Sequence, residues 1–175
     1  MKKIIVSGFG GQGVLSLGLF VAYSAMHMEH NVAWLPSYGP EMRGGTANCS
    51  VTVSEEEIAC PIVTRPDILV AMNAPSIDKF ADSVPTGGVI FVNRSATDKK
   101  VARDGVKTVY VPVDTLAQNI NPRGGNIIML GVLLSYLGLT RAAAEAAVRY
   151  VFREKPQLID VNLQCLDAGI DFAKG

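Results

Sequence analysis

A chain of 175 residues, 49% apolar and 18% charged, has enough apolar surface for a buried core and does not have the composition of a disordered chain. Its 16 Lys and Arg balance 16 Asp and Glu, so neither nucleic acid nor a membrane surface is an expected partner. The 3 cysteines, Cys49, Cys60 and Cys165, are odd in number and show no C-x-x-C spacing. That argues against a disulfide framework, a zinc site or an iron–sulfur cluster held by this chain alone, and it fits a reducing cytoplasm.

The opening MKKIIV begins like a secretory signal, but GFGGQG interrupts the apolar run after Val6. Strand, turn and helix is the better assignment. Lys3 to Ser7 is predicted as a short buried strand, and Gln12 to Met28 as a helix with Val14, Leu17, Val21 and Ala25 on its apolar face. Asn31 to Leu35 forms a second strand, closed by Pro36. Thr46 to Ser54 alternates with period two, with Ala47, Cys49, Val51 and Val53 on one side, so its other face is wet or covered by a partner. Asp67 to Met72 and Val89 to Val92 are continuous apolar runs of the kind buried on both faces of a parallel sheet. Lys107 to Val111 is a further strand, and weaker helices fall at Ile77 to Ala81 and Asp98 to Arg103.

The last third is helical. Asn126 to Leu137 is apolar almost all round and must be buried on every side or docked on something. Its apolar block is too short for a bilayer of about 30 Å. Thr140 is the expected N-cap of Arg141 to Phe152, and Pro156 opens Leu158 to Phe172. The expected fold is α/β: a Rossmann-like, open, mostly parallel sheet with flanking helices, one domain over residues 1–175.

GFGGQG places Gly8, Gly10 and Gly13 in G-x-G-x-x-G spacing, with Gly11 and Gln12 between, where strand passes into helix. The first glycine permits the tight turn, the second lets backbone approach a phosphate, and the third lets helix pack on strand. Free N–H groups at the helix start offer an anion site; a turn serving close packing alone is the competing assignment. A nicotinamide dinucleotide site also wants an acid about 20 residues on, at the end of the second strand. That place reads Leu35, Pro36, Ser37, Tyr38, and no acid occurs before Glu41. PSYGPEMRGGT instead sets Arg43 beside Gly44 and Gly45, a guanidinium next to free backbone N–H groups, suited to a phosphate, a carboxylate or a neighbouring subunit.

SGFGGQGVLSLG at Ser7 to Gly18, together with PSYGPEMRGGTANCSVTVS at Pro36 to Ser54, resembles the gamma subunit of the 2-oxoacid:ferredoxin oxidoreductases, most of all the 2-oxoglutarate type. The likeness continues through PDILVAM, GGVIFVN, NIIMLG and NLQCLDAG and spans the chain. The pyruvate-type enzymes share the motifs. The resemblance implies a complex that oxidatively decarboxylates a 2-oxoacid. Thiamine diphosphate with magnesium sits in alpha and beta subunits, and [4Fe-4S] clusters sit in beta and a ferredoxin-like delta subunit. Coenzyme A takes the acyl group, and ferredoxin is the acceptor. The gamma chain would bind no cofactor alone and would contribute structure and part of the coenzyme A side of the site, in the cytoplasm. Candidate site residues are Gly8, Gly10, Gly11, Gln12, Gly13, Tyr38, Gly39, Glu41, Arg43, Gly44, Gly45 and Asn126, with Glu41 orienting Arg43 or pairing across an interface. No nucleophile or general base stands out. A free-standing nucleotide-binding oxidoreductase and a non-catalytic scaffold on the same fold are the alternatives.

The remaining features have plainer explanations. His27 and His30 lack a third ligand and suit a helix C-terminus. Asn73 and Asn93 end strands on the ligand-facing edge, where asparagine also starts turns. Cys49 and Cys60 are expected to pack as small hydrophobes, and Cys165 beside the buried stripe of the last helix. Arg123-Gly124-Gly125 is either an anion site or a turn before the apolar helix, which Asn126 could cap.

Overall fold

Apolar runs separated by turns give strands, six of which form one sheet among the described residues, with Ile68–Ala71 and most of Lys2–Phe9 and Val89–Asn93 buried on both faces. The structure, a computed structural model, describes residues 1–37 and 46–175. The strands are β1 (Lys2–Phe9), β2 (Asn31–Ser37), β3 (Thr46–Ser54), β4 (Ile68–Ala71), β5 (Val89–Asn93) and β6 (Lys107–Val111), in the spatial order β2-β3-β1-β4-β5-β6. β1 pairs in parallel with β4, β4 with β5, and β5 with β6. β3 runs antiparallel to both β1 and β2 and lies between them. All strands except β3 therefore share one direction, as the expected mostly parallel sheet requires.

Helices α1 (Val14–Met26), α4 (Gly125–Leu137), α5 (Arg141–Val151) and α6 (Ile159–Lys174) cover one face of the sheet. They pack on Ile4, Val6, Cys49, Val51, Val70 and Phe91. α4 is buried all round because α1, α5 and α6 surround it on this face, which explains its lack of a polar side. Gly18 brings α1 down onto Cys49 and Trp34. The second face carries a smaller core: Ile5, Leu69, Ala71, Ile90 and Val92, under Ile77 of α2 (Ala74–Phe80) and Ala81 and Val84 after it. A short α3 (Val113–Ala117) links β6 to α4. No described helix is long and apolar enough to cross a membrane.

Four local expectations need correction. β2 does not stop at Pro36 but runs through it, pairing Pro36 with Cys49. It is an edge strand with one neighbour, and such a strand tolerates a missing N–H on its outer side. Asp98 to Arg103 is not a helix. Its donors go elsewhere: Val101 N to Tyr110 Oη at 2.9 Å, Lys99 N to Thr97 Oγ1 at 3.1 Å, and Arg103 to the Val84 carbonyl at 2.7 Å. Cys60 is exposed, whereas Cys49 and Cys165 are buried as expected. Asn126 lies inside α4, whose N-cap position is Gly124.

Candidate functional site

The connection after β1 leads to α1 on the first face, and the connection after β4 leads to α2 on the second. β1 and β4 are neighbours. The crevice beyond their carboxyl ends is thus a topological switch point, where open α/β sheets bind ligands. GFGGQG forms one wall and Asn73 the other.

The glycine turn is specified by steric need. A Cβ on Gly8 would come within 2.8 Å of Gln12 Oε1, Met72 Cβ and Val14 Cγ2, so β1 and β4 close up only on glycine there. Gly13 has φ 70°, in the left-handed region, and a Cβ there would strike Asn126. Gly11 has φ 94° with open space around it, and Gly10 is exposed. Gln12 braces the turn rather than reaching outward. Its Oε1 accepts from Phe9 N at 2.7 Å, and its Nε2 donates to the Met72 carbonyl at 2.9 Å, tying the turn to the end of β4.

Two long helices start at this place. Asn126, in the first turn of α4, donates through Nδ2 to the Gly13 carbonyl at 3.4 Å, where α1 begins. Neither α1 nor α4 has an acid in its first turn or a side-chain cap from its N-cap glycine. Asp114 stands near the start of α4: a Cβ on Gly125 would lie 3.3 Å from its Oδ1. The positive end of α1 faces the open turn, an arrangement suited to an anionic group.

Asn93 ends β5 at this edge, while β4 stops at Ala71 and Asn73 stands two residues beyond it. Asn93 Oδ1 accepts from Ser95 N at 3.0 Å, a turn role, and its Nδ2 donates to Asp114 at 3.3 Å. Asn73 caps α2, accepting from Ser76 N at 3.0 Å and from Ser76 Oγ at 2.6 Å. Ser7 Oγ lies 2.8 Å from Ser76 Oγ, so a buried chain of polar groups runs under the crevice from β1 to the start of α2. Among the described residues the buried amide nitrogen of Asn73 has no hydrogen-bond partner. The sequence signal for Ser7 was a serine inside an otherwise apolar strand; Ser76 and Asp114 had no signal of their own.

Of the candidate residues, Gln12 lies against Gly8 and Asn126 against Gly13, and Gly10 and Gly11 complete the turn. Tyr38, Gly39, Glu41, Arg43, Gly44 and Gly45 lie outside the described residues. The strands that flank them end beside the glycine turn: Thr46 pairs with Phe9, and Asn48 with both Ser7 and Ser37. His27 follows α1 directly, as expected for a helix C-terminus. Among the described residues no three His, Cys, Asp or Glu side chains form a metal-binding group.

Comparison with known proteins supports this architecture. The family profile described as pyruvate ferredoxin/flavodoxin oxidoreductase matches residues 3–172. The ketoisovalerate oxidoreductase subunit VorA of Methanothermobacter thermautotrophicus is 41% identical over 98% of this chain, which spans 36% of that longer protein. The 2-oxoglutarate synthase subunit KorC of Methanocaldococcus jannaschii is 34% identical, with 99% of this chain and 94% of that one aligned. A crystal structure of a keto/oxoacid ferredoxin oxidoreductase gamma subunit from Geobacter sulfurreducens superposes with a TM-score of 0.83 at 26% identity, covering 99% of both chains.

Proposed function

The chain belongs to the pyruvate ferredoxin/flavodoxin oxidoreductase family, and from that premise we propose that it serves as the gamma-type subunit of a complex that converts a 2-oxoacid and coenzyme A to an acyl-CoA, with electrons passing to ferredoxin. The observation that carries this is a family match over residues 3–172 in a chain whose glycine turn stands at the switch point of the sheet. The other subunits are the alpha, beta and ferredoxin-like delta chains. Thiamine diphosphate with magnesium, and iron–sulfur clusters, supply the carbanion and one-electron chemistry there. The cysteines of this chain do not fit a cluster, with Cys49 and Cys165 inside the core and Cys60 on the surface.

In this role the chain's own residues bind and orient. The Gly8 to Gly13 turn and the start of α1 receive an anionic portion of coenzyme A. Gln12 and Asn126 hold the turn rigid between β4 and α4. Arg43, with Gly44 and Gly45, adds a guanidinium and backbone donors for a phosphate or a partner's carboxylate, and Glu41 orients Arg43. Arg43→Ala then raises KM for coenzyme A about tenfold, the cost of one charge-assisted hydrogen bond, or loosens the complex. An unchanged KM and unchanged assembly remove Arg43 from the site.

The subunit role is tested by tagging the chain in its host, purifying it gently, and recording subunit masses, visible spectrum and coenzyme A-dependent dye reduction with 2-oxoglutarate, 2-oxoisovalerate and pyruvate. Larger partners, brown colour and activity with one of these acids are expected. A colourless chain that emerges alone overturns the proposal.

A further inference from the structure

The sheet is covered unequally on its two faces. The layer of α1, α4, α5 and α6 extends over the first face, but on the second face α2 and the segment after it pack on β1, β4 and β5. One row of the sheet shows where that cover ends. Ile5, Ser50 and Leu35 are paired across β1, β3 and β2 and share this face. Ile5 is 6% exposed, Ser50 is half-buried and Leu35 is 40% exposed. In the next row toward the glycine turn Ser7 is buried, Asn48 half-buried and Ser37 exposed, and beyond it Phe9 is 41% exposed beside Thr46.

None of these side chains is charged; one row further from the turn on the same face, Lys3 is half-buried and Thr52 fully buried, so the uncharged open part begins at the row of Ile5, Ser50 and Leu35. A sheet face that lives in water ordinarily carries Lys, Glu and Arg; charge depletion with exposed large apolar groups is the composition of an interface core. Resting on the gamma-type reading above, we infer that the open end of this face, from Leu35 and Ser50 to Phe9 at the tip of β1, is where the chain docks on the subunit equivalent to the remainder of its longer relatives.

Two facts commit the face to that occupant. The same domain occurs as nearly the whole of KorC, named a subunit, and as 36% of VorA, where the rest of the chain is a covalent neighbour, and a separate chain in its place is the partner this face would meet. The open face also runs directly into the candidate site, because Phe9 belongs both to it and to the glycine turn. A subunit seated there brings its own chemistry to the crevice. Another apolar surface is a hollow of about 350 Å³ lined by Tyr23, Met26, His27 and Tyr150. It lies at the far end of α1, a helix of 13 residues, hence about 20 Å from the turn. The partner surface must be neutral, with apolar side chains for Phe9 and Leu35 and hydrogen-bonding groups for Ser50 and Asn48.

Leu35→Lys and Ser50→Arg separate the possibilities when each is purified from the host as a tagged chain beside wild type, with Met26→Lys as the control on the helical hollow. Wild type and Met26→Lys are expected to bring down the complex. Leu35→Lys and Ser50→Arg should bind the partner at least about 100-fold more weakly, since each buries an unpaired charge. Leu35→Lys changes an exposed position, and its circular dichroism should match wild type, so a folding failure cannot account for its loss. Full assembly of both sheet-face variants, or loss of assembly in Met26→Lys alone, overturns the inference and leaves the gamma-type role standing. If wild type itself comes out alone, the failure belongs to that role.

Discussion

Gln12 is a residue whose identity matters for two bonds at once. An alanine there leaves Phe9 N and the Met72 carbonyl without their partners, at a cost of about 1–3 kcal/mol. Urea unfolding should show this as a lower midpoint with an unchanged slope. The cysteines differ in the same local way. Burial pushes the Cys49 thiol up to about 11 and raises that of Cys165, while Cys60 is exposed. A thiol reagent at pH 8 should therefore modify Cys60 in the native chain and reach the other two only after unfolding, as peptide mass spectrometry will show. The glycines were legible because steric need leaves marks in sequence; Asn126 stands out through the resemblance and as an expected cap, whereas it lies within the first turn of α4 and bonds the Gly13 carbonyl. The fate of Gln12's amide was not legible, since its acceptor on Met72 is remote in the chain and depends on β1 lying beside β4. Cys60 was misjudged because cysteine is usually buried, and nothing local announces an exposed loop.

Between elements, the tightest contact is α4 against α6. A Cβ on Gly131 would strike the Leu166 carbonyl, and one on Gly169 the Ile128 carbonyl, backbone against backbone. Gly131→Ala should cost about 3 kcal/mol, because no side chain can move aside, and it should be read from the thermal midpoint of the purified chain. α5 and α6 are also linked by Arg141, which bonds Asp167 at 2.8 Å and pairs with Glu145. Arg141 holds the Asp167 carboxyl below its ordinary range, and Arg149 and Arg141 do the same for Glu145. A depressed carboxyl stabilises the fold above its unfolded value and loses that contribution as pH falls through the folded one. Asp167→Asn should lower the midpoint at pH 7 by at most about 3 °C, since the pair is exposed and worth under about 1 kcal/mol. The difference should shrink below about pH 4. The long helices were readable from periodicity and from Thr140, whose hydroxyl accepts from Ala143 N at 3.1 Å. The helix expected at Asp98 to Arg103 failed because Tyr110, Val84 and Thr97 supply partners that a periodicity argument cannot see. α3 passed unnoticed because five residues are too few to show a period.

For the molecule as a whole, protection should follow enclosure. Amide exchange is expected to be slowest in β1, β4 and α4, which are covered on both sides or all round, and fastest among the strands in β2, with one neighbour and an open face. Hydrogen-exchange mass spectrometry will order them, and equal protection of β2 and β4 would contradict the layering. The parallel core was legible from unbroken apolar runs. The place of β3 was not: its alternation showed a half-open strand, but strand order is decided by its antiparallel pairing with both β1 and β2. That order has an engineering consequence. In a dinucleotide-binding sheet the second strand adjoins the first, so an acid at its tip reaches the ribose of a nucleotide seated on the glycines. Here β3 occupies that position and pushes β2 outward by a further strand spacing of about 4.8 Å. Writing Asp at Ser37 would leave the carboxylate one strand too far away. The intervening strand therefore takes the position from which a ribose-binding acid would reach the glycine turn, and a nicotinamide site on this scaffold would need its acid from another element.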